Sequence, residues 1–165
     1  MSRNIVLCGF MGSGKTTIGK MLAQHLLYTF VDTDDVIEAT TGMTVPQSFE
    51  IHGEEHYRDL EHNAVKELAS RKKSHVIATG GGVMTLQRNV DVFRAHGDKI
   101  IFLDIPFEVC YKRIKDSDRP LVRNNTKEAL HEIYLARRDL YLAACDQRIT
   151  GLDSQAIVRE IIQGI

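Results

Sequence analysis

The sequence predicts an α/β fold: a mostly parallel sheet with helices on both faces. Two observations carry this expectation. Short apolar runs alternate with helical patterns along the whole chain, as strands and crossover helices do. The first run, Ile5-Val6-Leu7-Cys8, is apolar throughout, as a strand buried on both faces should be. The chain has 165 residues, 43% of them hydrophobic, which is enough for the core of one domain. Residues 1–165 contain no repeat, low-complexity tract or Pro/Gly-rich linker, so a single domain is expected.

Each element follows from the local pattern. After the first strand and a glycine-rich turn, a helix is expected from about Thr16 to Leu27, with Ile18, Met21, Leu22 and Leu26 on one face. Thr29-Phe30-Val31 reads as the second strand and ends at Asp32-Thr33-Asp34. Short helices are expected at Asp35–Thr40 and Val45–His52, and a longer one from Glu54 to Ser70. His75–Thr79 is the third strand and runs into Gly80-Gly81-Gly82. A helix at Gln87–His96 leads to the strand Ile100–Leu103. Pro106 opens a helix to Lys115, since proline is tolerated in a first turn. Lys115–Asn125 is polar, contains Pro120, and reads as a loop. A long helix from Thr126 to Ala144, a short strand at Arg148–Thr150 and a helix capped by Asp153 complete the chain.

Composition excludes several classes. Charged residues make up 26% and nearly balance to a net charge of -1, unlike a dedicated nucleic-acid binder. The three cysteines, Cys8, Cys110 and Cys145, form no Cys-x-x-Cys pair and suggest neither a disulfide framework nor a zinc ribbon. No apolar run approaches membrane-spanning length, and the first strand begins without a leader-like segment. The expectation is a cytoplasmic protein that touches neither membrane nor nucleic acid.

The strongest chemical signal is Gly9-x4-Gly14-Lys15-Thr16, placed between a strand and a helix. Its glycines let backbone N–H groups curl toward phosphate oxygens, and the helix adds its positive end. Lys15 reaches the β- and γ-phosphates, and the Thr16 hydroxyl suits Mg²⁺. A chance glycine-rich turn explains this setting less well. Phosphate binding alone leaves the purpose of the ATP open, so the other strand ends must decide it.

In an open parallel sheet, ligands bind beyond the carboxyl ends of the strands. The second strand brings Asp32 and Asp34, read as one carboxylate for Mg²⁺ and one for an acceptor hydroxyl; a helix N-cap is the plain alternative for either. The third brings Gly80, Gly81 and Gly82, which let backbone approach a ligand closely. The fourth ends at Asp104, which has the look of a metal-binding aspartate but is read as a helix cap near Pro106; Asp32 is preferred for the metal side. Arg58 and Glu61, three apart on a helix, are placed to pair. A paired Arg58 aimed into a cleft suits a carboxylate or phosphate, while a surface ion pair is the plain alternative. Arg119 and Arg123 flank Pro120 in a loop suited to a water-excluding lid.

Taken together these residues resemble the shikimate kinase family. The matching segments are Gly9–Thr17, Asp32-Thr33-Asp34, Gly53-Glu54-x-x-Tyr57-Arg58-x-x-Glu61, Thr79-Gly80-Gly81-Gly82 and Asp118-Arg119-Pro120-Leu121. The resemblance implies a three-layer αβα P-loop kinase fold, a five-stranded parallel sheet of order 2-3-1-4-5 with a mobile lid. The lid would span residues 115–125 and the substrate-binding helices residues 33–62. It implies phosphoryl transfer from ATP, with Mg²⁺, to the 3-hydroxyl of shikimate in aromatic amino-acid (chorismate) biosynthesis, by a monomer. Lys15, Asp34 and Arg119 would be catalytic, with Asp34 on the acceptor hydroxyl. Gly12, Ser13, Gly14, Lys15, Thr16, Thr17, Arg113 and Arg119 would bind the nucleotide. Asp34, Arg58, Gly80, Gly81, Gly82 and Arg137 would bind shikimate, and Thr16 with Asp32 (through water) would hold the metal.

Three departures accompany the resemblance. The family's Arg-x-Pro-Leu-Tyr is here Arg137-Arg138-Asp139-Leu140-Tyr141, so choosing Arg137 over Arg138 rests on counting back from Tyr141. Its usual Phe before the substrate arginine is Tyr57, a mild change, and Pro46-Gln47-Ser48 replaces a more usual acidic and apolar stretch. Three other readings compete. A gluconate or nucleotide kinase shares the P-loop and lid. A non-catalytic ATP-binding regulator would lack the carboxylate or lid arginine. A zinc hydrolase would use His52 and His56, but Gly53 stands where its general base belongs.

Overall fold

The computed structural model describes residues 3–165. Its elements are β1 (Ile5–Cys8), α1 (Lys15–Leu26), β2 (Thr29–Asp32), α2 (Thr33–Thr41), α3 (Val45–Ala69), β3 (His75–Ala78), α4 (Gln87–His96), β4 (Lys99–Leu103), α5 (Phe107–Ile114), α6 (Pro120–Arg123), α7 (Lys127–Ala144), β5 (Gln147–Ile149) and α8 (Ser154–Gln163). The five strands form one parallel sheet of order β2-β3-β1-β4-β5.

Alternation along the central strands builds the three layers. Ile5 and Leu7 of β1 and Ile101 and Leu103 of β4 join one core with Leu22 of α1 and Ile157 of α8. Val6, Cys8, Ile100 and Phe102 join the opposite core with Val65 of α3, Phe93 of α4 and Tyr141 of α7. Successive strand residues point to opposite faces, so an unbroken apolar run requires cover on both. A third cluster of Ile37, Tyr57 and Ala64 binds α2 to α3.

The end of the sheet away from the P-loop is held by a buried polar group that the sequence reading missed. Asp98 accepts from the Asn4 backbone at 2.8 Å and from Asn4 Nδ2 at 3.2 Å, while Asn4 Oδ1 accepts from the His75 backbone at 2.9 Å. One asparagine thus satisfies the leading edges of three neighbouring strands.

The helices expected on either side of Gly53 are both present as the two halves of α3, separated by a break at Gly53 with φ 82°, ψ 172°. A Cβ there would meet nothing within 4 Å, so the backbone angle, and not space, calls for glycine. The segment 115–125, expected as a loop, contains α6, with Pro120 at its first position. Finally, α2 begins at Thr33, which puts Asp34 in its first turn.

Candidate active site

The P-loop closes tightly against α5. Gly12 has φ 79°, and a Cβ there would lie 2.9 Å from both Cys110 O and Ile114 Cγ2, so angle and space both demand glycine. Arg113 of α5 donates to Gly12 O at 2.8 Å. Lys15 folds over the loop and donates to Gly9 O at 2.7 Å and Phe10 O at 3.0 Å. Burial, then the positive charge of Arg119, lowers its pKa to about 8, so an anion beside it would restore its proton affinity.

Asp32 serves as a cap and also faces the cleft. Its Oδ1 accepts from the Asp34 backbone at 2.8 Å, the N-cap of α2, while its Oδ2 lies 3.4 Å from Thr16 Oγ1. Burial and then the neighbouring Asp34 raise its carboxyl to about 6. A hydroxyl and carboxylates carrying uncompensated negative charge suit a hard cation such as Mg²⁺. Among the described residues, no group of three or more His, Cys, Asp or Glu forms a closed cage. The set therefore fits an ion that keeps waters and takes phosphate oxygens.

The three glycines after β3 make room for three side chains. A Cβ on Gly80 would lie 2.9 Å from Asp34 Oδ1, and one on Gly81 2.9 Å from Arg137 Nη1. One on Gly82 would collide with the Arg58 guanidinium. None of the three has a positive φ, so their requirement is space. The turn is anchored twice: Gly80 N donates to Thr33 Oγ1 at 2.9 Å, and the Tyr141 hydroxyl donates to Gly81 O.

Arg58 is held from both sides. Its Nη1 meets Glu61 Oε1 at 2.5 Å and its Nη2 meets Glu54 Oε1 at 3.3 Å. Glu61 is only 1% exposed, so this is no surface ion pair. Burial raises its carboxyl to about 6, against the opposing pull of Arg58.

These side chains line two adjoining cavities. The larger, about 410 Å³, runs from the P-loop past Asp32 and Arg113 to Gly151, Leu152, Ser154 and Ile157. The smaller, about 70 Å³, is bounded by Phe49, Tyr57, Arg58, Glu61, Gly82 and Arg137. Asp34, Gly80, Gly81 and Arg119 line both. The nucleotide-, acceptor- and metal-binding residues that the resemblance implies, from Gly12 to Arg137, thus line one cleft, whereas Arg123 and Asp104 do not. The wall at 151–157 was missed, because it carries no motif. Tyr57, a mild change by side-chain type, is a large one by contact: its hydroxyl donates to Asp34 Oδ1 at 3.0 Å.

Two ambiguities resolve here. Arg137 lines the smaller cavity, whereas Arg138 is turned to Asp104, with Nε–Oδ1 at 2.9 Å and Nη2–Oδ2 at 2.8 Å. Arg148 adds a third contact to Asp104 at 2.7 Å. The expected role of Asp104 as a helix cap is therefore wrong: it joins β4, α7 and β5 by ion pairs. These hydrogen bonds hold its carboxyl below the ordinary carboxylate range against the opposing effect of burial. Asp104→Ala should cost about 1–2 kcal/mol, discounted because both arginines reach solvent. The midpoint of thermal unfolding at pH 7 should fall by roughly 2–6 °C. A depressed folded-state pKa stabilises above the ordinary carboxylate range and is lost as pH falls. The gap between parent and variant should therefore narrow in acid, and a gap constant with pH would count against the ion-pair account.

A family model described as shikimate kinase matches residues 11–165. The shikimate kinase of Caldanaerobacter subterraneus subsp. tengcongensis is 43% identical, over 98% of this chain and 95% of its own. The solved structure of Acinetobacter baumannii shikimate kinase in complex with shikimate superposes with a TM-score of 0.91 at 35% identity, covering 99% of this chain and 92% of that one. Shikimate kinase from Aquifex aeolicus follows at a TM-score of 0.82 and 31% identity, covering 98% and 94%. With this fold and these strand ends, the chain belongs to the shikimate kinase family.

Proposed function

We propose that the chain transfers the γ-phosphoryl group of ATP to the 3-hydroxyl of shikimate, giving shikimate 3-phosphate. The observation that carries this reading is the junction of the two cavities at Asp34, Gly80, Gly81 and Arg119. A donor phosphate on the P-loop and an acceptor beside Arg58 and Arg137 would meet there. The complex of the Acinetobacter baumannii relative with shikimate supports the same acceptor.

Phosphoryl transfer needs in-line positioning and charge stabilisation more than covalent chemistry. The backbone of Gly12–Thr17 and Lys15 hold the triphosphate, and Arg113 lies against the adenine. Arg58 and Arg137 bind the acceptor carboxylate, and the turn at Gly80, Gly81 and Gly82 sits against the ring hydroxyls. Asp34 accepts the hydrogen bond of the attacking hydroxyl, and its proton, as the bond to the γ-phosphorus forms and the bond from that phosphorus to the β,γ-bridging oxygen breaks, with ADP as the leaving group. Lys15 and Arg119 offset negative charge on the equatorial oxygens. Thr16, with Asp32 through water, would hold Mg²⁺, which supplies further neutralisation of the β- and γ-phosphates when bound. Residues 115–125 act as the lid of a single domain 1–165, bringing Arg119 over the phosphoryl group and excluding water. Residues 33–62 form the acceptor-binding segment. The three free cysteines are in keeping with a reducing cytoplasm, where the chain works as a monomer on small molecules alone.

The test is ADP release with ATP and Mg²⁺ over shikimate, quinate, gluconate and nucleoside monophosphates. Shikimate should stimulate release far above the others. Stimulation by gluconate or a nucleotide instead would sink the acceptor assignment and leave a kinase.

A further inference from the structure

We propose that Tyr57 is a positioning residue for the transfer: its phenol holds one oxygen of Asp34 so that the other faces the acceptor hydroxyl. This rests on Asp34 being the carboxylate that receives that hydroxyl. The two residues come from different elements, Asp34 from the first turn of α2 and Tyr57 from α3 beyond the break at Gly53. Only the packing of α2 on α3 brings them together.

The Tyr57 side chain is built as a fixed strut. It is 2% exposed and packs with Ile37 and Ala64 between the two helices. Its ring meets that of Phe49 at 4.6 Å between centroids. From this socket the hydroxyl donates to Asp34 Oδ1 at 3.0 Å. Burial and the charges of Asp34 and Glu61 raise its pKa, so the phenol stays protonated and can only be the donor in this pair. The same Oδ1 lies against Gly80, where a Cβ would be 2.9 Å away. Among the described residues no hydrogen bond falls on Oδ2, and Asp34 lines both cavities.

A carboxylate turns easily about its last torsion, which has a broad two-fold preference. One fixed donor on Oδ1 removes that freedom and leaves Oδ2 for the reacting hydroxyl. Small errors of position at a reacting group cost large factors in rate. The hydroxyl of Tyr57 therefore belongs to turnover, while its ring belongs to packing.

Tyr57→Phe separates the two, because the ring and its contacts remain. We expect kcat to fall about tenfold, with KM for ATP and for shikimate each within about threefold. Thermal unfolding measured alongside should shift by no more than a few degrees. The same substitution is then made on Asp34→Asn, with turnover followed by γ-labelled ATP for sensitivity. There the loss of the hydroxyl should change kcat by less than about twofold, since residues acting as a unit are not additive. An unchanged kcat in Tyr57→Phe, with Asp34→Asn strongly impaired, overturns the inference and leaves the role of Asp34 standing. A tenfold loss in both backgrounds also overturns it, because Tyr57 would act independently of Asp34. An Asp34→Asn enzyme that turns over normally overturns the role of Asp34 and, with it, this one.

Discussion

Asp34→Asn should lower kcat by about a thousandfold and leave KM for ATP within about threefold, the size expected for a positioned general base. The substitution is nearly isosteric, so the amide oxygen can still accept from Tyr57 and the side chain still fits the space beside Gly80. What it loses is the charge and the capacity to take a proton. The effect on ATP should be small because Lys15 and Arg113 line only the larger cavity, whereas Asp34 sits where that cavity joins the acceptor side. Steady-state ADP release at saturating substrates reads kcat, and equilibrium titration with ATP reads binding. A kcat within tenfold of the parent would mean that Asp34 orients the acceptor and does not receive its proton.

Arg58→Ala should reduce kcat/KM for shikimate by roughly 10²–10³, the loss of about 3–4 kcal/mol of charge-assisted hydrogen bonding. KM for ATP should move far less, and equal weakening of both substrates would make Arg58 structural. The burial of Glu61 adds a second consequence. Its carboxyl, 1% exposed, loses the guanidinium at 2.5 Å. Removing one partner of such a pair leaves an uncompensated group and costs about 3 kcal/mol of stability. Glu61 already has a raised folded-state pKa, about 6, so its ionisation opposes folding as pH rises through that value. Without Arg58 the pKa rises further and the penalty extends to higher pH. Thermal unfolding of the variant should therefore drop more steeply than the parent between about pH 6 and 8. Glu61→Gln added to Arg58→Ala should remove that slope and recover stability, yet leave shikimate binding impaired. Recovery of both would contradict a direct contact between Arg58 and the acid.

Legibility differed among the parts of the site for a physical reason. The P-loop is contiguous, and its function lies in backbone N–H groups, so eight neighbouring residues specify it almost alone. The strand ends were legible because a parallel sheet must open its ligand crevice at their carboxyl ends. The glycines at 80–82 announce a close approach to the backbone but not what approaches it. Their neighbours Asp34, Arg137 and Arg58 come from α2, α7 and α3, and no local pattern announces three side chains from three helices. The wall at 151–157 went unseen for a related reason: it contributes shape without a distinctive chemical group.

From the sequence alone came the strand–helix order, the P-loop and most of the residues that line the cleft, because each depends on local spacing or on motif content. Tertiary packing decided which of two adjacent candidates faces the cleft. Neighbouring helix residues point about 100° apart, so the rotation of α7 about its axis had to be known before Arg137 could be separated from Arg138. That rotation is set by Tyr141 and Leu130 entering the two cores and by Asp104 holding Arg138. The same packing turned Asp104 from an expected helix cap into an ion-pair hub, and Tyr57 from a mild substitution into a hydroxyl on Asp34. These are contacts between residues 23 to 44 apart in sequence, and only the folded chain brings them together.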